Sequence, residues 1–85
     1  MISKSEFKRT LSDRLRLARE ARGWDQKTLA KEAGVSTSAI CRIEAAKVMP
    51  SAYVAVALAY AVGVNIGTLL PAGTPRISRR QRAGH

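Results

Sequence analysis

The stretch Asp25-Gln-Lys-Thr-Leu-Ala-Lys-Glu-Ala-Gly-Val-Ser-Thr-Ser-Ala-Ile-Cys-Arg-Ile-Glu44 decides the fold. Asp25 is a good N-cap, and Leu29, Ala30 and Ala33 fall on one face of a short helix over Gln26 to Ala33. Gly34 breaks that helix. Ser36 is another N-cap, and Ile40 and Ile43 are the inward positions of a helix from Thr37 to Glu44. Two short helices joined by about three residues, with Gly in the turn, make a helix-turn-helix, the arrangement that offers its second helix to a DNA groove.

Reading outward from this core gives three more helices. Ser3 and Glu6 have the spacing of a capping box, and Ile2 and Phe7 that of a hydrophobic staple across it. A first helix therefore starts near Lys4, with Phe7, Leu11, Leu15 and Ala18 as its apolar stripe and Gly23 as its C-cap. After a loop ending in Pro50, Ser51 caps a fourth helix over Ala52 to Val62, which Gly63 stops. Asn65 caps a last helix, Ile66 to Leu70, closed by Pro71. No strand pattern and no internal repeat is visible. The expected fold is all-α, a single five-helix domain over residues 1–71. The Gly/Pro/Arg-rich tail, residues 72–85, reads as disordered when unbound.

Eighty-five residues allow one domain with a thin core, a size at which oligomerisation is a common source of stability. The single cysteine, Cys41, can form no internal disulfide, and no apolar run follows Lys4 as a signal peptide requires. The expected location is the cytoplasm. Fifteen Lys and Arg against six Asp and Glu give a net charge of +9, which favours a polyanionic partner. All six acids and eleven of the bases lie before Val48, none between Val48 and Pro75, and the other four bases are Arg76, Arg79, Arg80 and Arg82. These tail arginines read equally well as an extension of a DNA footprint or as a solubilising tail.

Other chemistries have little behind them. The one histidine is the terminal His85, and no nucleophile–base set, carboxylate pair or Gly-rich phosphate loop stands out, so neither an enzyme, a metal site nor a cofactor is expected. Cys41 reads as a small residue on the outer side of its helix rather than a redox group. Ala52 to Leu70 is long enough and uncharged enough to span a bilayer. Gly63 and Asn65 sit where a helix stop and a new cap belong, so it reads as two helices instead.

The run Leu15 to Glu44 resembles the lambda-repressor-like (Xre-type) helix-turn-helix family. The matching residues are Arg19, Gly23, Gln26, Leu29, Ala30, Gly34, Val35, Ser36, Ile40, Ile43, Glu44, Pro50, Gly63 and Val64. The resemblance implies five helices with the third in the DNA major groove, and two-fold symmetric operators bound by dimers. It implies base contacts from Thr37, Ser38 and Arg42, phosphate contacts from Gln26, Lys27, Ser36 and Lys47, and a buried ion pair between Arg19 and Glu44. Three residues depart from the pattern. Ala46 replaces a Gly that takes positive φ, which is costly for Ala and puts the path of Lys47 in question. Trp24 replaces a smaller Leu or Met. The fourth helix is unusually apolar.

That apolarity has its own reading. Ala52, Ala55, Leu58, Ala59 and Val62 can fill the core, which leaves Tyr53, Val54, Ala57, Tyr60 and Ala61 outside without a charge among them. Such a patch often marks an interface, so residues 51–70 are the expected homodimer region. The function expected from all this is a DNA-binding transcriptional regulator, a repressor on a palindromic operator, with no ligand-sensing domain and no membrane role. The alternative is an antitoxin that neutralises a partner protein and binds its own promoter.

Overall fold

The computed structural model describes residues 3–70, and within them every regular element is a helix. These are α1 Lys4–Ala21, α2 Gln26–Ala33, α3 Thr37–Glu44, α4 Ala52–Val62 and α5 Ile66–Leu69. The Ile2–Phe7 staple, Pro71 and the 72–85 tail lie outside the described residues.

Side-chain oxygens start four of the five helices. Ser3 Oγ accepts from Glu6 N at 3.1 Å while Glu6 Oε1 accepts from Ser3 N at 3.1 Å, the reciprocal box. Asp25, Ser36 and Ser51 each accept from the backbone N–H three residues on, at 2.7, 3.0 and 3.2 Å. The bond to Thr28 N–H lowers the Asp25 carboxyl pKa, and those to Ser3 lower that of Glu6. Asn65 occupies the cap position of α5 but makes no side-chain cap bond, contrary to its expected role.

One device ends the first four helices. After α2, Gly34 N–H bonds Lys31 O and Val35 N–H bonds Ala30 O, with Gly34 left-handed at φ 74°. Gly63 and Val64 repeat this after α4, and Gly23 and Trp24 after α1. In each case the apolar residue after the glycine packs against the core. The fourth instance follows α3. Ala46 N–H bonds Ile43 O, Lys47 N–H bonds Arg42 O, and Ala46 takes φ 60°. The alanine therefore bends to the turn rather than changing it, and Lys47 keeps its place after the helix. At Gly63 a Cβ would also stand 2.9 Å from Arg22 Nη1, the mobile end of a long side chain that could shift to admit it.

The helices close on one core. Leu15, Leu29, Ile40, Leu58 and Leu69, one from each helix, are its largest fully buried side chains. Each contributes about 1.5–3 kcal/mol of apolar burial. Phe7, Ala18 and Trp24 pack against its edge, and Arg22 covers the Trp24 ring at 4.5 Å, which accommodates the larger ring at the α1–α2 corner.

In α4 the two faces differ from the expected split. Leu58, Ala59 and Val62 are buried as expected. Val54 and Ala61 are not outside: both are partly buried and packed against the core. Ala52, expected inside, is exposed, and Ala55 and Ala57 are half-buried. The outer row is Tyr53, Val56 and Tyr60, exposed by 82%, 55% and 87%. Val56 belonged to neither expected set. An all-apolar helix carries no contrast from which to fix its rotation, which is why composition misplaced the boundary. Among the described residues no helix is long and apolar enough to cross a membrane.

Replacing Ala46 by glycine removes the cost of a left-handed alanine. Ala46→Gly is expected to raise the unfolding free energy by about 1 kcal/mol, as read from chemical denaturation midpoints at unchanged denaturant slope.

Candidate nucleic-acid interface

Helix α3 presents two chemically distinct sides. Ile40, Ile43 and Glu44 are buried, while Thr37, Ser38, Cys41, Arg42 and Ala45 at its end are exposed. At 100° per residue the exposed set forms one continuous arc. Among the described residues, the side chains of Thr37, Ser38 and Arg42 make no hydrogen bond or ion pair within the chain. Ser36 is different: its oxygen already accepts from Ala39 N–H, which leaves its hydroxyl proton as the group it can offer.

What holds this helix is a carboxylate. Glu44, with only 4% of its side chain exposed, takes both oxygens to Arg19: Nε donates to Oε2 at 2.7 Å and Nη2 to Oε1 at 3.0 Å. Gln26 Nε2 donates to the same Oε1 at 3.1 Å. Arg19 Nη1 donates to Trp24 O at 2.8 Å, so the guanidinium also fastens the α1–α2 corner. The Glu44 hydrogen bond, opposed by burial, raises the Arg19 pKa. The half-buried Gln26 is thus committed to the carboxylate, a partnership its phosphate reading did not include. Its second amide N–H is what remains for a phosphate.

A further clamp had no signal in the sequence. Ser12, buried in α1, places Oγ 2.6 Å from Lys8 O and 2.5 Å from Ile43 O, so one hydroxyl joins α1 to the end of α3. A serine in an arginine-rich stretch reads as surface, and only the crossing of two helices gives it a partner. Arg14 and Arg22 were similarly hidden. Arg14 Nη1 donates to Leu70 O at 2.5 Å and Thr68 O at 3.3 Å, and Arg22 Nη1 to Val62 O at 3.3 Å. Each satisfies carbonyls at or just past a helix end.

Beside Arg42 on α3, the exposed cations of this region are Lys27 and Lys31 on α2 and Lys47 in the loop beyond. The helix-turn-helix and its exit thus carry four cations, Arg42 included. The sequence model of the helix-turn-helix domain matches residues 10–72, about three quarters of the chain. The chain belongs to that family. Its fold is that of lambda-repressor-like transcriptional regulators. No curated protein matches it. Among solved structures it is similar to the restriction-modification controller protein C.AhdI from Aeromonas hydrophila, at 29% identity and TM-score 0.71, over 73% of this chain and 94% of that one. It is similar in fold to the hypothetical transcription factor NHTF from Neisseria, at 21% identity and TM-score 0.75, over 99% and 90% of the two chains. An HTH_3 family transcriptional regulator from Vibrio cholerae also shares the fold, at 21% identity and TM-score 0.75, over 79% of this chain and 38% of that longer one.

Within this helix-turn-helix, removing the carboxylate leaves the Arg19 charge buried and unanswered. Glu44→Ala is expected to destabilise the fold by about 3–5 kcal/mol. A thermal melt reads the loss directly, and an unchanged midpoint is the result that contradicts it.

Proposed function

We propose that this chain is a sequence-specific transcriptional regulator that binds a palindromic operator as a homodimer and represses by occupying the promoter. The observation that carries the reading is the exposed arc of α3, whose polar groups are uncommitted while its other side is anchored by Glu44 and Ser12. A rigidly held helix with uncommitted donors on one side is suited to reading base edges in a major groove. Arg42 has the reach to engage guanine O6 and N7 together, worth about 1–3 kcal/mol of discrimination. Thr37 and Ser38 serve shorter contacts. Lys27, Lys47, the Ser36 hydroxyl and the remaining amide N–H of Gln26 serve phosphates, which position the helix without reading sequence. The likeness to a restriction-modification controller protein supports a regulatory role. A toxin-like reading frame beside the gene would favour the antitoxin alternative.

The dimer rests on the outer row of α4. Tyr53, Val56 and Tyr60 recur at helical spacing, with half-buried Ala57 between them and no charge anywhere on the helix. Tyrosine anchors keep their hydroxyls wet at a rim while small alanines let two helices approach. Palindromic half-sites one DNA turn apart require such a two-fold pair to set its recognition helices about 34 Å apart.

Selection from a random DNA pool is expected to return a palindrome. On that DNA, Arg42→Ala should weaken affinity by about 5- to 150-fold for each half-site, as a 1–3 kcal/mol contact implies, and relax one position per half-site. Lys27→Ala or Lys47→Ala should weaken specific and random DNA binding alike. Equal weakening on both DNAs for Arg42→Ala would remove it from base reading. For the dimer, Tyr53→Glu with Tyr60→Glu should sediment as a monomer with its helical circular dichroism retained. A double variant that stays dimeric moves the interface elsewhere.

A further inference from the structure

We propose that the start of α1, through Lys4, Lys8 and Arg9, is a second contact with the DNA phosphate backbone, alongside the exit of the recognition helix. It rests on the reading that α3 enters the groove, and it adds a surface that the helix-turn-helix does not contain. The family match begins at residue 10, so Lys4–Arg9 lies ahead of the shared domain.

The distribution of partners points there first. The described residues hold eleven cations. Four, all arginines of α1 or its C-cap, are committed: Arg14 and Arg22 to helix-end carbonyls, Arg16 to Asp13 at 2.9 Å and Arg19 to Glu44. The other seven make no side-chain hydrogen bond or ion pair among the described residues. Lys27, Lys31, Arg42 and Lys47 belong to the helix-turn-helix and its exit. The remaining three are the cations of the first six residues of α1. The one acid among those six, Glu6, has its carboxylate on Ser3 N–H in the capping box.

Position then separates this group from a merely solvated basic turn. Ser12 Oγ sits between Lys8 O and Ile43 O, which seats the Lys8 turn against the C-terminal end of α3. From that same end the chain leaves through Lys47, whose N–H bonds Arg42 O. On α1, Lys8 and Arg9 fall to the side of Ser12, the side that faces α3. Lys8 and Lys47 therefore border one end of the recognition helix from two directions. The six residues extend α1 by about 9 Å, enough for their cations to meet two neighbouring phosphates of one strand.

The test is a triple variant of the full chain, Lys4→Gln with Lys8→Gln and Arg9→Gln. Glutamine keeps helix propensity close to lysine and arginine and leaves the Ser3–Glu6 box in place. Binding is measured against salt on the selected duplex and on random duplex, beside wild type and Arg42→Ala. The expected result is an unchanged melting midpoint and base preference, at least about tenfold weaker binding at low salt, and a salt slope shallower by about 3–4 for the dimer, near 0.9 for each of the two phosphates per protomer that the variant no longer neutralises. A slope within about 0.5 of wild type overturns the proposal, because neutralising even one phosphate exceeds that. So does an unchanged slope with abolished co-sedimentation on vesicles of anionic phospholipid, which assigns the turn to a membrane surface. If wild type shows no base preference while the triple variant still has the shallower slope, the phosphate contact stands and the reading of α3 fails.

Discussion

The structure depends on a single buried carboxylate. Glu44 ends α3, and a helix C-terminus already carries partial negative charge, so an acid there needs strong compensation. Arg19 supplies two parallel hydrogen bonds and Gln26 a third. Because Arg19 also holds Trp24 O, one guanidinium fixes α3 relative to both α1 and the start of α2. A bidentate arginine defines direction as well as distance, which a lysine would not. The outward arc of α3 inherits its aim from this anchor.

Helix α1 works as the frame against which the other helices are set. Its apolar stripe fills the core, while the polar residues of the helix and its C-cap reach four different places: Ser12 to Ile43 O, Arg14 to the end of α5, Arg19 to Glu44 and Arg22 to the end of α4. Much of what looks from composition like undifferentiated positive charge is thus structural. Among the described residues, the cations without internal partners belong to the helix-turn-helix, the loop after it and the first turns of α1.

Which parts were legible follows from how local each signal is. Helix limits were read almost to the residue because caps and stops act within three or four positions, as at Asp25 and Gly34. The helix-turn-helix was legible for the same reason. The pairing of Arg19 with Glu44 came only by resemblance, since nothing local to either residue names the other. Ser12, Arg14 and Arg22 were illegible because their partners lie 31 or more residues away and are backbone carbonyls, which leave no mark on sequence. For Gln26 the resemblance implies a phosphate contact, and nothing local to it names Glu44, which its amide bonds. The rotation of α4 failed for the opposite reason. Its local pattern is uniform, so Val54, Val56 and Ala61 could be sorted only by what they touch.

The absence of charge from Val48 to Pro75 has a consequence for how the molecule answers to its medium. Among the described residues, the cations without partners lie on α1 to α3 and the loop beyond, while the outer row of α4 has only rings, methyl groups and two hydroxyls. Added electrolyte screens the first surface and loosens its hold on any polyanion. Strongly hydrated ions such as sulfate raise the cost of wetting the second and favour covering it. A strongly hydrated salt is therefore not a single dial for this protein: among the described residues it loosens the first surface and favours covering the second.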